Sequence, residues 1–480
     1  MLETDVLAPY PAEVSVPAAA VAAAVARSGR VLVVLDDDPT GTQSVADLPV
    51  LTRWEVEDLR WALEQGAPAL YVLTNTRSLD AADAEQRNRE VVTNALAAAA
   101  EGGVEIGFVS RSDSTLRGHF PLEPLVIADV LAQQGGRRTD AVVVVPAFPD
   151  AGRITVGGVH YTRGPQGTVV PVAETEFARD ATFGFTSSAL ADYVEEKSGG
   201  RYAAGDVIGL DLALVRGPAQ GIADALDGAT DLTPVVVDVV TEDDLRSLAL
   251  GLAESERRGR SLLYRVGPPF VRARTGQEVR APLTADEAYA GTRPAPGGGL
   301  VVVGSHVAQT TRQLDALTAE HPALVVEIAV EPLLGEGLLE GAAAQAELDR
   351  VVAAVTSGLG HGDVVVHTSR LLVRRDDPAE SLRIARTVSA AVVEVVRRTL
   401  AEHPPRFVIA KGGITSSDVA TSGLGIRRAL VRGPMLPGIV SLWQPVGGPA
   451  EGIPFVVFAG NVGDDRSLLD VVRVLSSAQS

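Results

Sequence analysis

The sequence predicts an α/β protein of two domains, each with a mainly parallel sheet flanked by helices, with the active site in the interdomain cleft. Apolar runs of strand length alternate with longer helical patterns along most of the chain. That alternation fades once, over residues 271–299, and then restarts. Several of the strands run directly into polar or glycine-bearing turns, the place where parallel sheets bind ligands.

In the first half, strands are predicted at 31–35, 69–73, 106–110, 141–145, 207–210, 234–240 and 262–266, with helices such as 81–100 and 242–256 between them. Residues 1–30 read as an N-terminal extension whose Ala/Val run, 16–26, forms a short amphipathic helix. Glu3, Asp5 and Glu13 stand where a secretory signal carries basic residues, and the run is shorter than the roughly 20 apolar residues that span a bilayer. Residues 31–270 form the first domain. Residues 271–299, which lose periodicity and end in Pro294, Pro296 and three glycines, form a linker. The second domain, 300–480, has strands at 300–303, 324–328, 364–367, 407–410, 439–443 and 455–458.

The 480 residues carry 42 Lys plus Arg against 61 Asp plus Glu, a net charge of −19, and only Lys197 and Lys411 are lysines. An acidic chain does not offer the clustered positive charge that nucleic acid or an anionic membrane requires, so neither is expected as a partner. The absence of cysteine excludes disulfides, thiolate metal sites and cysteine nucleophiles, and fits a cytoplasmic protein.

The densest polar signal is Asp36-Asp37-Asp38-Pro39-Thr40-Gly41-Thr42, directly after the first strand. Three adjacent carboxylates repel one another and must be offset by a cation, by hydrogen bonds or by substrate hydroxyls, and at the mouth of a sheet this points to a site for hydroxyl groups or Mg²⁺. After strand 106–110 comes Arg111-Ser112-Asp113-Ser114-Thr115-Leu116-Arg117-Gly118-His119, whose guanidinium groups suit a carboxylate and whose Asp, Ser and Thr suit a polyol. Thr74-Asn75-Thr76-Arg77 is a third polar strand end. In the second domain, Gly304-Ser305-His306 opens a helix containing Thr310, Thr311 and Gln313. Lys411-Gly412-Gly413-Ile414-Thr415-Ser416-Ser417-Asp418 follows another strand, and Gly460-Asn461-Val462-Gly463 follows the last one. Three glycine turns at the strand ends of one domain suggest a nucleotide. Neither lysine completes a Gly-Lys-Ser/Thr P-loop, and no His-Glu-x-x-His pair supports zinc, so no residue is assigned as a metal ligand.

Asp37-Asp38-Pro39-Thr40-Gly41, Asp113-Ser-Thr-Leu-Arg-Gly118 and Gly412-Gly413-Ile414-Thr415 together resemble the four-carbon acid sugar kinase family, from about Val31 to Val472. The resemblance implies phosphorylation of threonate, erythronate or a related tetronate by ATP, with the acid sugar on the first domain and the nucleotide on the second. By that resemblance Asp37, Asp38, Arg77, Asp113, Ser114, Thr115 and Arg117 line the acid-sugar pocket. Ser305, Gly412, Gly413, Thr415, Gly438, Gly460 and Asn461 surround ATP, with Ile414 in the same turn. The sequence departs from the family at Ile414, where many members have Glu, at Ala459, where many have Lys, and at His119, where Asn is usual. Lys411 is then expected to supply the phosphate charge that Ala459 cannot.

Direct transfer of the γ-phosphoryl to a substrate hydroxyl, the terminal one, with Mg²⁺ bridging the phosphates, is the expected chemistry. Arg117, with Arg77 or Arg111, is expected to hold the carboxylate, and Asp37, Asp38 or Asp113 to act as base. Two other readings stand beside this one. Asp36-x-Asp38-x-Thr40 also fits a haloacid-dehalogenase-like phosphohydrolase with Asp36 as nucleophile, and a non-catalytic sugar-acid and nucleotide sensor would keep the same turns. The sequence leaves the stereoisomer and the oligomeric state open, a homodimer being one arrangement it allows.

Overall fold

The computed structural model describes residues 1–289, 296–334, 338–369 and 378–477, with side chains of the last span from 383 onward. It divides into two compact units, Met1–Val279 and Arg280–Ser480.

The strands of the first unit are β1 (Val31–Asp36), β2 (Leu48–Leu51), β3 (Ala69–Leu73), β4 (Ile106–Arg111), β5 (Ala141–Val145), β6 (Arg153–Val156), β7 (Val159–Arg163), β8 (Val169–Pro171), β9 (Ile208–Leu210), β10 (Thr233–Val237) and β11 (Leu262–Val266). Eight of them make a parallel sheet in the order β2-β3-β1-β4-β11-β5-β10-β9. Such strands are buried on both faces, which is why Val-Leu-Val-Val-Leu and Ala-Val-Val-Val-Val read as unbroken apolar runs. The helices Val56–Glu64, Ala81–Gly102 and Leu122–Gly135 cover one core of this unit, with Leu59, Val91, Val92, Ala95, Ile127 and Val130 packed on Val33, Leu70, Phe108 and Val142. β6, β7 and β8 form a small antiparallel sheet of their own.

In the second unit, β12 (Leu300–Val303), β13 (Ala323–Ile328), β14 (Asp363–Thr368), β15 (Val408–Lys411), β16 (Arg428–Leu436), β17 (Ile439–Pro445) and β18 (Phe455–Phe458) are ordered β13-β14-β12-β15-β18-β17-β16. The first five are parallel, and β17 runs antiparallel to β18 and β16. Val301, Val303, Ile409 and Phe458 pack against Leu314, Leu317 and Leu468 to Leu475 of the flanking helices.

The α/β architecture expected from the sequence is therefore present, with three differences in detail. β2, β6 to β8 and β16 lie outside the predicted strands: β2, although apolar, and β6 to β8 are only three to five residues long, and β16 carries Arg, Gly and Pro on a half-buried ribbon. Residues 1–30 are not a detached extension, because helix Ala18–Ser28 buries Ala18 and Val21, Val21 packs against Ala249, and Arg163 grips Glu3 with contacts of 2.9 and 2.7 Å. The expected linker is shared between the units. Helix Pro269–Thr275 is buried in the first, while Leu283, Ala288 and Tyr289 join the core of the second. Pro294 lies outside the described residues. Among the described residues no helix is long and apolar enough to cross a membrane.

Helix Glu242–Arg257 opens with a capping box in which Thr241 and Asp244 satisfy each other's backbone N–H groups. The same Asp244 carboxylate receives Arg216 through Nε at 2.8 Å and Nη2 at 3.1 Å, and both side chains are buried. Removing one partner strands the other charge in the interior, so Asp244→Ala is expected to lower the unfolding free energy by about 3 kcal/mol or more, read by chemical denaturation. A loss near zero would show that water reaches Arg216.

Candidate functional site

β1 lies between β3 and β4, so the connection after β1 leaves to one side of it and the chain later returns on the other; the carboxyl end of such a strand is an open crevice. Asp36 closes β1 in register with Leu73 of β3 and Arg111 of β4. Its carbonyl accepts Thr74 N–H at 2.8 Å and the Thr74 hydroxyl at 2.9 Å, and the Asp37 carbonyl accepts Arg77 N–H at 3.3 Å. Three strand ends separated in sequence are thereby drawn together.

The offset for the aspartates is guanidinium. Arg111 is buried with Asp36, pairs with it, stands 3.4 Å from Asp37 Oδ1, and donates through Nη2 to the Asp38 carbonyl at 2.5 Å. Arg77 donates to Asp37 through Nε at 3.2 Å and Nη2 at 2.6 Å and lies 3.6 Å from Asp38 Oδ2. Asp38 caps the 3₁₀ turn Pro39–Ser44, accepting Thr40 N–H at 2.9 Å and the Thr40 hydroxyl at 2.5 Å through Oδ1. Guanidinium groups thus supply positive charge to this cluster, and among the described residues no group of three or more His, Asp or Glu side chains is arranged to hold a metal ion.

Beside it, Asp113 accepts the Thr115 hydroxyl and Arg117 Nε, the latter at 2.7 Å. Beneath both lies a buried network in which Arg265 pairs with Glu123, and Glu123 also receives the hydroxyls of Thr76 at 2.5 Å and Ser110 at 2.8 Å. Neither Glu123 nor Arg265 carries a sequence motif. The signal that could have found them is a charged residue inside an otherwise apolar strand or helix face. His160, also buried, fixes the loop by holding the Ser114 carbonyl at 2.8 Å and Thr155 at 2.9 Å. His119 accepts no ligand role from its position: Nε2 faces the carbonyls of Thr76 and Leu79 at 3.0 and 3.1 Å, and its ring meets Phe183 edge-on. A small recess, with room for about 10 Å³, is lined by Ser112, Asp113, Leu116, Arg117, Tyr193 and Arg265, among others.

Burial sets the proton affinities. It pushes Asp37 up to about 7, against the opposing pull of Arg77. Burial also opposes ionisation of Asp113, but the charges of Arg77 and Arg117 outweigh it and bring that carboxyl down to about 2. Burial lowers Arg111 to about 9, whereas Arg77 is held above its ordinary value because Asp37, Asp38 and Asp113 outweigh its own burial.

Exposure separates the sequence-predicted residues. Asp38, Asp113, Arg77 and Arg117 are partly open, with side-chain exposures of 14 to 28%. Asp37 is sealed behind Arg77, and Ser114 and Thr115 are buried. Arg111 is corrected from a substrate residue to an internal counter-ion. The same burial removes Asp36 as a phosphohydrolase nucleophile, since its carboxylate faces Arg111 and is closed to solvent.

In the second unit, Val303, Lys411 and Phe458 stand level across β12, β15 and β18, so the three glycine turns leave the sheet side by side. They pack on one another. A Cβ at Gly304 would fall 2.2 Å from Thr415 Oγ1, one at Gly412 3.3 Å from Ser305 Cβ, and one at Gly460 2.6 Å from Ser305 Oγ. Gly412 has φ +129, and Gly413 begins helix Gly413–Asp418. Thr310 donates to the Gly460 carbonyl at 2.8 Å, while Gln313 donates to the carbonyls of Val462 and Asp464 at 3.0 and 2.7 Å, pinning the last turn from the helix after β12. Gly438, at φ +67, forms the β16–β17 turn at the same end of the sheet, because Ser441 of β17 pairs with Val457 of β18. Asn461 and Ile414 are exposed. Lys411 departs from expectation. It is fully buried, its Nζ donates to the Ala459 carbonyl at 2.6 Å and sits 3.8 Å over the Phe458 ring, and burial lowers it to about 7. Its ammonium group is directed into the protein, at the Ala459 carbonyl that precedes Gly460.

Gly41 is required by close approach: a Cβ there would lie 2.3 Å from Arg111 Nε and from both Asp36 carboxylate oxygens. Because that pair has no room to yield, Gly41→Ala is expected to cost about 2 kcal/mol of stability, measured by thermal or chemical unfolding. An unchanged midpoint would show the pair to be looser than its packing.

Comparison with known proteins accords with these two units. Residues 32–274 match a sugar-binding N-terminal domain and residues 300–468 a nucleotide-binding C-terminal domain. A D-erythronate kinase of Heliobacterium modesticaldum is 31% identical over 232 residues, 47% of this chain and 46% of that protein, so the match spans about half the relative's length. The fold resembles that of a Haemophilus influenzae protein, with a TM-score of 0.62 at 18% identity over 92% of this chain and 100% of the other. It also resembles a Salmonella typhimurium LT2 protein carried under the name tRNA synthase, with a TM-score of 0.66 at 19% identity over 92% and 98%. With a sugar-binding domain followed by a nucleotide-binding domain, and the Asp-Ser-Thr-Leu-Arg-Gly loop at the heart of the first, the chain belongs to the four-carbon acid sugar kinase family.

Proposed function

We propose that the protein is an ATP-dependent kinase of a four-carbon acid sugar, phosphorylating a tetronate such as erythronate on its terminal hydroxyl. The observation that carries this reading is the pair of partly open carboxylates, Asp38 and Asp113, each flanked by a guanidinium and set at the mouth of a parallel sheet. Carboxylates in fixed orientation accept hydrogen bonds from the hydroxyls of a polyol chain. The family match and the D-erythronate kinase relative support the substrate class.

Asp38 is the base in this reading. Its Oδ1 accepts from Thr40, its Oδ2 lies 3.6 Å from Arg77 on a side chain that stays 23% exposed, and its backbone carbonyl is anchored by Arg111. As the substrate oxygen bonds to the γ-phosphorus, its proton passes to Asp38, the bond to the bridging oxygen breaks, and ADP leaves. Asp37 fixes Arg77, whose cation stands beside Asp38. ATP is the co-substrate, assigned to the turns Gly304-Ser305, Gly412 to Thr415, Gly438 and Gly460-Asn461 of the second unit. Mg²⁺ is carried on its phosphates, in keeping with that ion's preference for phosphate and water ligands.

The test is ADP release with MgATP across D- and L-erythronate, D- and L-threonate and their keto acids. Turnover on one of them is expected, with Asp38→Asn lowering kcat about 100-fold or more while the KM for ATP holds. Full activity in Asp38→Asn would remove it as base, and no ADP release with any acid would overturn the kinase reading.

A pH profile tests the neighbouring pair. Asp37 titrates near 7, so it pairs Arg77 as the carboxylate above that pH and loses its charge below it. The value of kcat/KM for the acid is expected to rise with pH up to a bend near 7 and then level off. The bend should vanish in Asp37→Asn, and its persistence there would assign it to another group.

A further inference from the structure

The arginines that the sequence singled out in the first unit are each matched to an aspartate: Arg77 to Asp37, Arg111 to Asp36 and Arg117 to Asp113. Arg153, the first residue of β6, is not. Among the described residues no Asp or Glu oxygen lies within 4.0 Å of its guanidinium; Nη1 donates to the Ala151 carbonyl at 2.5 Å, and Nε is buried with no hydrogen-bond partner. It is nonetheless next to the site. Phe177, on the short turn Glu176–Arg179, carries Arg117 over its ring at 5.3 Å and Arg153 over the same ring at 5.8 Å. Arg117 is the residue that holds Asp113, so Arg153 stands beside one of the two carboxylates assigned to the sugar hydroxyls.

A half-buried cation with no counter-ion is costly, and burial, with Arg117 adding repulsion and Asp113 offsetting part of it, pulls its proton affinity down. An incoming anion would relieve that cost. A guanidinium can pair with the oxygens of a carboxylate, and this one lies over an aromatic ring that it shares with Arg117. We infer that Arg153 is the substrate-binding residue that pairs with the carboxylate of the acid sugar. This assignment rests on the kinase reading for the identity of the ligand, and it moves recognition of the acid from the expected Arg117, with Arg77 or Arg111, to a residue outside the loop motifs.

The test is calorimetric titration of the full chain, as wild type, Arg153→Gln and Arg153→Lys, with D-erythronate and with erythritol, the same four-carbon polyol with a hydroxymethyl group in place of the carboxylate. The wild type is expected to prefer erythronate, and Arg153→Gln to weaken erythronate binding about 10- to 100-fold, as loss of one charged hydrogen-bonding partner implies. Erythritol and MgATP binding should not change, so the preference should collapse in Arg153→Gln and survive in part in Arg153→Lys. Retention of the wild-type preference in Arg153→Gln overturns the assignment, as does a wild type that binds both polyols alike. A variant weakened only toward MgATP overturns it too. If Arg153→Gln does not fold, Arg153→Lys decides, an unchanged preference again overturning it. Turnover measured in parallel separates the two claims: acid binding that depends on Arg153 without phosphorylation defeats the kinase reading and leaves the assignment standing.

Discussion

Three consecutive carboxylates at the end of a buried strand cannot coexist without positive charge among them, and the first unit is organised around how that charge is delivered. Arg111 arrives from the end of β4 and Arg77 from the turn after β3, the two strands that flank β1. In a low-dielectric interior such pairs hold only with close geometry and additional hydrogen bonds, which Thr74, Thr40 and the Asp38 carbonyl share in providing. The small residues follow from the same constraint. Gly41 lies where any side chain would push into the Arg111–Asp36 pair, and Gly118 has φ +114 with its Cβ position 2.7 Å from Arg265 Nη2.

This arrangement divides the aspartates by task. Asp36 and Asp37 are internal and set the positions of arginines, while Asp38 and Asp113 keep an open face. Neighbouring residues of one chemical type thus acquire proton affinities as far apart as about 7 at Asp37 and about 2 at Asp113, through burial in one case and cationic neighbours in the other. The second unit solves a different problem. Its turns must bring backbone close to a ligand, and glycines at 304, 412 and 460 let three of them pack within van der Waals distance of Ser305 and Thr415.

Much of this was readable in advance because it depends on local pattern. The parallel strands announce themselves as apolar runs, since both their faces are covered, and the glycine turns and the two aspartate loops lie directly after them. The antiparallel β6 to β8 and β16 were not readable, because short strands, or one interrupted by Arg, Gly and Pro, carry no such run. Lys411 shows the limit for single residues. Its rarity in the sequence drew attention to it correctly, yet its side chain turns inward to Ala459 and Phe458, a direction that no spacing encodes.

The sequence by itself determined the fold class, the two-part organisation and the loops that carry the chemistry, because periodicity and turn composition are properties of contiguous residues. Which charge meets which was decided only by the tertiary structure. Arg111 at the end of β4 and Arg117 in the loop after it are six residues apart, but the first is closed against Asp36 and the second lies over Phe177 beside Arg153. Those partners come from segments between about 35 and 75 residues away in the chain. The physical reason is that burial and Coulomb attraction depend on distances in space, and the strand order of the sheet, rather than the order of residues, sets those distances.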